Sequence, residues 1–152
     1  MTYLSLGSNL GDRSANLEMA VSLIGRKIGH VVAKSDVIET EPWGFESGNR
    51  FLNQAIAVET SLEPEQLLEA TQAIEKECGR SGKSISGRYS DRVIDIDILL
   101  MDQLTMSTDR LTIPHPLMTK RRFVLEPLSG IAPDLIHPVS GMTVSELLEQ
   151  IQ

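Results

Sequence analysis

The run Arg92-Val93-Ile94-Asp95-Ile96-Asp97-Ile98-Leu99-Leu100 holds the residues best suited to chemistry in this chain. Its β-branched residues and its alternation read as a strand. Successive side chains on a strand point to opposite faces, so Asp95 and Asp97 share one face, roughly 6–7 Å apart along the chain. Ile94, Ile96 and Ile98 point the other way, toward a core. Two carboxylates projecting together repel each other unless a cation offsets them. An oxygen-only pair suits Mg²⁺, which takes its remaining ligands from water and phosphate groups. The plainer alternative is an edge strand with two solvated aspartates.

Basic residues gather near that pair in two islands. Arg80, Lys83, Arg88 and Arg92 lie in a Gly/Ser-rich stretch, and Lys120, Arg121 and Arg122 follow His115. If both islands converge on the aspartates, the site combines forked guanidinium donors with metal-binding carboxylates, which suits a polyphosphate. For Lys120 and Arg122 a solvated basic patch is an equal reading; Arg92, three residues from Asp95, favours the site. Gly82-Lys83-Ser84 imitates the end of a phosphate-binding P-loop. That motif needs a glycine five positions earlier, where this chain has Glu77, and a strand before it, where this chain has a helical pattern.

The chain as a whole sets bounds. Its 152 residues suit one domain, 1–152, with a sizeable core. A net charge of −7 argues against nucleic acid as a general partner. The single cysteine, Cys78, allows no internal disulfide and suits the cytoplasm. No apolar run reaches membrane-spanning length, and the N-terminus lacks a basic-then-apolar signal, so no membrane association is expected.

Pattern along the chain gives the elements that must position these groups. Thr2 to Leu6 alternates as a strand, and Gly7 to Asp12 has the composition of a turn. Leu17, Ala20, Val21 and Ile24 predict a helix, with Gly25 and Gly29 bracketing its exit. His30 to Thr40 reads as one long strand, Glu41 to Arg50 as a loop, and Phe51 to Thr60 as a second long strand. Pro64 opens a helix lined by Leu67, Thr71, Ile74 and Cys78 and ended by Gly79. Arg80 to Asp91 reads as a flexible loop before the aspartate strand. That strand turns near Asp102-Gln103 and is expected to return as a hairpin through Leu104 to Met106. A short helix is expected over Thr119 to Leu128, restricted at its end by Pro127, and Thr143-x-x-Glu146 opens a last helix. The β-α-β-β-α-β order predicts an α+β, ferredoxin-like fold: an antiparallel sheet with helices on one side, plus C-terminal additions.

Several motifs in this order resemble the 6-hydroxymethyl-7,8-dihydropterin pyrophosphokinase family. They are Gly7-Ser8-Asn9-Leu10-Gly11-Asp12, Glu39-Thr40-Glu41-Pro42, Phe51-Leu52-Asn53, Gly79-Arg80, the strand Arg92 to Leu99, Pro114-His115-Pro116, Arg121 and Phe123-Val124-Leu125. The chain departs from the family pattern at Tyr89, often Trp, at Ser90-Asp91, often Gly-Pro, and at Leu117, often Arg.

The resemblance implies transfer of pyrophosphate from ATP to a pterin alcohol, with release of AMP, in folate biosynthesis. Asp95 and Asp97 would hold two Mg²⁺ ions, and Arg80, Arg92, His115 and Arg121 would contact the phosphates of ATP. Gln72, Glu75, Ile98 and Thr112 would line the nucleotide site. Thr40, Pro42, Trp43, Phe51, Asn53, Tyr89 and Phe123 would shape the pterin pocket, with Asn53 at the ring edge and Phe51 and Phe123 around its faces. Such a ring needs aromatic faces and a few edge donors and acceptors; on pattern alone, core packing is the reading for both Phe residues. The family's mobile loops correspond to Glu41–Arg50 and Arg80–Asp91, and dihydropteroate synthase would be a functional neighbour. Two other classes stay open on pattern alone: another Mg²⁺-dependent phosphohydrolase, and a non-catalytic ferredoxin-like domain that binds a small molecule.

Overall fold

The computed structural model describes residues 1–41, 49–79 and 93–151. Strand β1 (Thr2–Ser8) is central. It pairs antiparallel with β4 (Phe51–Glu59) on one side and with β5 (Asp95–Met101) on the other. Beyond β4 lie β2 (His30–Lys34) and β3 (Ile38–Thr40), both antiparallel to it. The order β2-β4-β1-β5 is the expected ferredoxin-like, antiparallel arrangement, and it leaves β5 at an edge.

His30 to Thr40 is two strands, not one. At the break, Ser35 replaces ladder bonds with its side chain: Oγ accepts from the Ala55 N–H at 2.9 Å, while the Ser35 carbonyl accepts from Gln54 Nε2 at 3.0 Å. A hydroxyl competing for backbone partners interrupts regular pairing. Gly7 and Ser8, expected in a turn, extend β1 instead.

Alternation divides the sheet into two faces. Leu4, Leu6, Ile56, Val58, Ile96 and Ile98 pack with buried residues of α1 (Arg13–Lys27) and α2 (Pro64–Glu77). On the opposite face, Ala55, Leu99 and Leu100 pack under α3 (Arg122–Ile131) and α4 (Val144–Gln150). Helices therefore cover both faces, and the one-sided expectation is corrected by the C-terminal additions, which form the second layer. Leu99 and Leu100 reach the same cluster because the register shifts: Tyr3 pairs with Leu100 but Leu4 with Ile98. Leu99 is the extra residue of a bulge.

Local chemistry sets the helix ends. The Asp12 carboxylate accepts from the Ala15 N–H and starts α1. Arg26 and Lys27 close it, where cations complement the helix dipole. Gly25 lies inside α1 rather than at its exit. Pro64 and a Glu63/Gln66 capping box start α2, and Gly79, at φ +97°, turns the chain away after it. Thr143 and Glu146 form the expected capping box of α4.

The segment after β5 differs from expectation in two ways. The chain turns at Asp102 (φ +52°), but Met106–Ser107 (β6) pairs with Thr112–Ile113 (β7) rather than returning along β5. Thr108 nucleates this ribbon, its hydroxyl accepting from the N–H groups of Arg110 and Leu111. Further on, Met118–Lys120 is a 3₁₀ turn, and α3 starts only at Arg122 and carries Pro127 in its interior. Burial of Val124, Leu125, Pro127 and Leu128 outweighs the backbone bond that proline removes.

Gly29 links α1 to β2 by close approach: a Cβ there would lie 1.9 Å from the Glu59 carbonyl oxygen. Gly29→Ala should lower stability by about 1–3 kcal/mol, read as a reduced urea midpoint at unchanged m-value.

Candidate active site

The two registers around β1 lay a row of groups across one face. Gly7 is opposite Asn53 on β4 and Asp95 on β5; Ser5 is opposite Ala55 and Asp97. Directly opposed residues share a face, and Ala55 identifies it as the α3 face. With strands roughly 4.7–4.9 Å apart, Asn53 and Asp95 stand about 9–10 Å from each other across Gly7. Gly7 is itself buried and supplies no side chain, so Asn53 and Phe51 close over it. A Cβ at Gly7 would meet Asn53 Oδ1 at 3.3 Å and Phe51 Cδ1 at 3.4 Å. Gly7 thus seats two of the expected site residues, a place that its turn-like composition does not signal.

Asn53 is 3% exposed, and its Nδ2 donates to Thr40 Oγ1 at 2.6 Å. Thr40 is the register partner of Phe51. Thr40, Phe51 and Asn53 therefore form one unit beside Gly7. Phe123, in the first turn of α3, is half-buried against the cluster of this same face. The Arg121 guanidinium lies 5.5 Å from its ring centroid, within cation–π range. Both phenylalanines are half-buried on this face of the sheet.

The opposite end of the row is polar. Asp97 Oδ1 lies 4.0 Å from His115 Nε2, and its Oδ2 lies 4.0 Å from Arg121 Nη1. His115 is placed by its backbone, whose N–H donates to the Leu99 carbonyl at the outer edge of β5. Burial holds its imidazole below the ordinary histidine range, against a smaller upward pull from Asp95. The ring is thus neutral at pH 7. Its Nδ1 accepts from the Leu117 N–H at 3.2 Å, which leaves the proton on Nε2, on the side of Asp97. Arg121 is 1% exposed, and burial pushes its pKa down, yet a guanidinium stays charged in proteins. Lys120 and Arg122 are exposed, and Arg122 pairs with Glu126 instead.

The residues expected around a nucleotide divide. Thr112 and His115 line a cavity of about 580 Å³ between the β6–β7 ribbon and the Pro116–Ser140 side of the fold. Gln72 is exposed on α2. Ile98 is buried in the first core cluster, so its side chain is scaffold. Its N–H and C=O follow the outward alternation of Ile96 and face the open edge of β5. Glu75 is 5% exposed, and its Oε2 accepts from the Ile96 N–H at 2.9 Å. That bond gives Glu75 a structural role that sequence pattern does not signal. Arg80, Arg92, Pro42, Trp43 and Tyr89 lie outside the described residues, as does most of both expected loops. Among the described residues, no three His, Cys, Asp or Glu side chains group as a metal cage; Asp95 and Asp97 offer a two-carboxylate site. No helix of the described residues is long and apolar enough to cross a membrane.

Residues 3–133 match the family model of 7,8-dihydro-6-hydroxymethylpterin-pyrophosphokinase (HPPK). The chain belongs to this family. The 2-amino-4-hydroxy-6-hydroxymethyldihydropteridine pyrophosphokinase of Porphyromonas gingivalis is 49% identical over 139 residues, covering 91% of this chain and 94% of that one. The protein of the same name from Bacillus subtilis is 44% identical over 132 residues, covering 86% and 77%. A crystal structure of Plasmodium falciparum HPPK-DHPS superposes with a TM-score of 0.80 at 17% identity. It shares the fold over 98% of this chain, which spans 42% of that longer protein. The HPPK relatives are pyrophosphokinases, so the phosphohydrolase and the non-catalytic readings find no support.

The bond from Ile96 to Glu75 is testable by itself. Glu75→Ala should leave that N–H unsatisfied, lower stability by about 1–3 kcal/mol and accelerate exchange of the Ile96 amide hydrogen by NMR. An unchanged midpoint with unchanged exchange would show that water replaces the carboxylate.

Proposed function

We infer that this chain transfers pyrophosphate from ATP to the hydroxymethyl group of 6-hydroxymethyl-7,8-dihydropterin and releases AMP, in folate biosynthesis. The observation that carries this reading is the row Asn53–Gly7–Asp95. It sets a buried amide and a carboxylate pair on one face of the sheet, on either side of a glycine. A flat heterocycle fits the Asn53 end, with Phe51 and Phe123 at its faces and Thr40 fixing the amide. Pro42, Trp43 and Tyr89 complete that pocket by the family resemblance.

The reaction is an in-line displacement. The pterin oxygen bonds to the β-phosphorus of ATP, the bond from that phosphorus to the α,β-bridging oxygen breaks, and AMP leaves with the electron pair. The hydroxyl proton goes to solvent, since no described side chain is placed as a general base. Positioning and electrostatics carry such a transfer. The neutral His115 presents an N–H donor to a phosphate oxygen. Arg121, held rigid by burial, presents a fixed positive charge. The resemblance adds Arg80 and Arg92 as further phosphate contacts, with Gln72, Glu75, Ile98 and Thr112 lining the nucleotide site. The cavity beside Thr112 and His115 is of ligand size.

The oxygen-only donor set and partial exposure of Asp95 and Asp97 fit Mg²⁺, and the resemblance implies two ions. Bound there, Mg²⁺ would neutralise phosphate charge. We further take residues 1–152 as a single catalytic domain working in the cytoplasm. Its diphosphorylated product carries a good leaving group, which suits consumption by a dihydropteroate synthase, the activity named with HPPK in the Plasmodium protein.

Product identity tests the reading. Incubation with Mg²⁺, ATP and the pterin alcohol should yield AMP in proportion to the pterin added. Pterin-dependent ADP, or nucleotide turnover indifferent to pterin, would refute it.

The carboxylates separate chemistry from scaffold. Asp95→Asn and Asp97→Asn should each reduce turnover by at least about 100-fold. Asp97→Asn removes an anion beside the buried Arg121 and should lose about 1–2 kcal/mol of stability. Turnover near the parent's in both variants would make the strand's aspartates structural.

A further inference from the structure

We propose that Arg13 is a positioning residue for the pterin site, acting as a clasp from the opposite face of the sheet; this rests on the reading of Thr40, Phe51 and Asn53 as that site. Arg13 is the first residue of α1. Its Nη1 donates both to Glu39 Oε2 at 2.7 Å and to the Arg50 carbonyl at 2.9 Å. Glu39 immediately precedes Thr40, and Arg50 immediately precedes Phe51. One guanidinium nitrogen thus ties together the two strand ends that carry the pocket's Thr40–Phe51 pair.

The alternation places the clasp where it cannot touch substrate. Thr40, Phe51 and Asn53 face α3, whereas Glu39 and its partner Leu52 face the α1 side. A tie is needed there because β3 is three residues long and sits at the sheet's edge, where short ladders open readily. Pairing stops at Thr40↔Phe51, and Thr40 in turn fixes the Asn53 amide.

The anchor itself is rigid. Asn16 Nδ2 donates to Ser8 Oγ and to the Leu10 carbonyl, and Asp12 caps the helix below Arg13. Asn9 Nδ2 adds a bond to the Asn49 carbonyl at 3.2 Å, so the whole β1–α1 turn grips the start of β4. Arg50 reaches Glu39 at 3.9 Å and Glu41 at 2.9 Å, which alternates charge around the clasp. Exposed ion pairs contribute little to global stability. The value of this one lies in geometry, because small misplacements of a binding group weaken the bound pose strongly.

The test compares substrates rather than stability alone. Arg13→Ala should raise the KM for the pterin alcohol about three- to tenfold, while kcat and the KM for ATP stay near the parent's. Glu39→Gln keeps an acceptor and should stay near the parent throughout. Glu39→Ala should show a smaller, equally selective rise, and the double variant should be no worse than Arg13→Ala, because the two residues act as one unit. If Arg13→Ala disturbs α1, Glu39→Ala carries the same readout from an exposed strand position. Pterin and ATP KM values rising together, an unmoved pterin KM, or additive effects in the double variant would overturn the clasp. A parent chain that releases no pterin-dependent AMP would instead overturn the functional reading, so the two failures are distinct.

Discussion

An edge strand must satisfy its outward backbone groups without a neighbouring strand, and β5 is such a strand. Unpaired edges recruit other chains unless something covers them. Here α2 covers one point with the Glu75 carboxylate on the Ile96 N–H, and the Pro114–Pro116 segment covers another with the His115 N–H on the Leu99 carbonyl. The second of these bonds also delivers the His115 ring to Asp97. Covering the edge and bringing His115 beside Asp97 are therefore one structural act.

The two faces of the sheet divide the work. The α1–α2 face is dense with Leu and Ile from every strand and makes the scaffold. The α3 face mixes a smaller apolar cluster with Asn53, Asp95, Asp97, Arg121 and the glycine at position 7. The C-terminal helices pack on this second face over Ala55, Leu99 and Leu100. Arg121 is the seam between the regions: it enters α3 as its N-cap residue, sits beneath Asp97 and lies against Phe123. A buried guanidinium tolerated there marks a place where orientation matters more than local stability.

Legibility in sequence tracked how local the cause was. The aspartate strand was readable because alternation is a property of neighbours: Ile94, Ile96 and Ile98 did go to the core, and Asp95 and Asp97 did not. The Thr143–Glu146 capping box needs only four residues and formed as read. Nonlocal causes misled. Gly7 reads as a turn by composition, yet its place opposite both Asn53 and Asp95 depends on two registers set far along the chain. Ser35 splits a strand through a bond to Ala55, twenty positions on. Pro127 sits inside α3 because tertiary burial overrides its helix-breaking tendency. Glu75 looks like any exposed helix glutamate until β5 is laid against it. Of the expected site residues, Thr40, Phe51, Asn53, Phe123, Asp95, Asp97, His115 and Arg121 are brought to one face, a convergence that the family motifs signalled and periodicity alone did not.

The close packing over Gly7 bears on how the neighbouring side chains can vary. Every substitution at position 7 adds at least a Cβ, 3.3 Å from Asn53 Oδ1 and 3.4 Å from Phe51 Cδ1, so both side chains must give way to admit it. A change at this one buried position is therefore also a change in where its two neighbours stand.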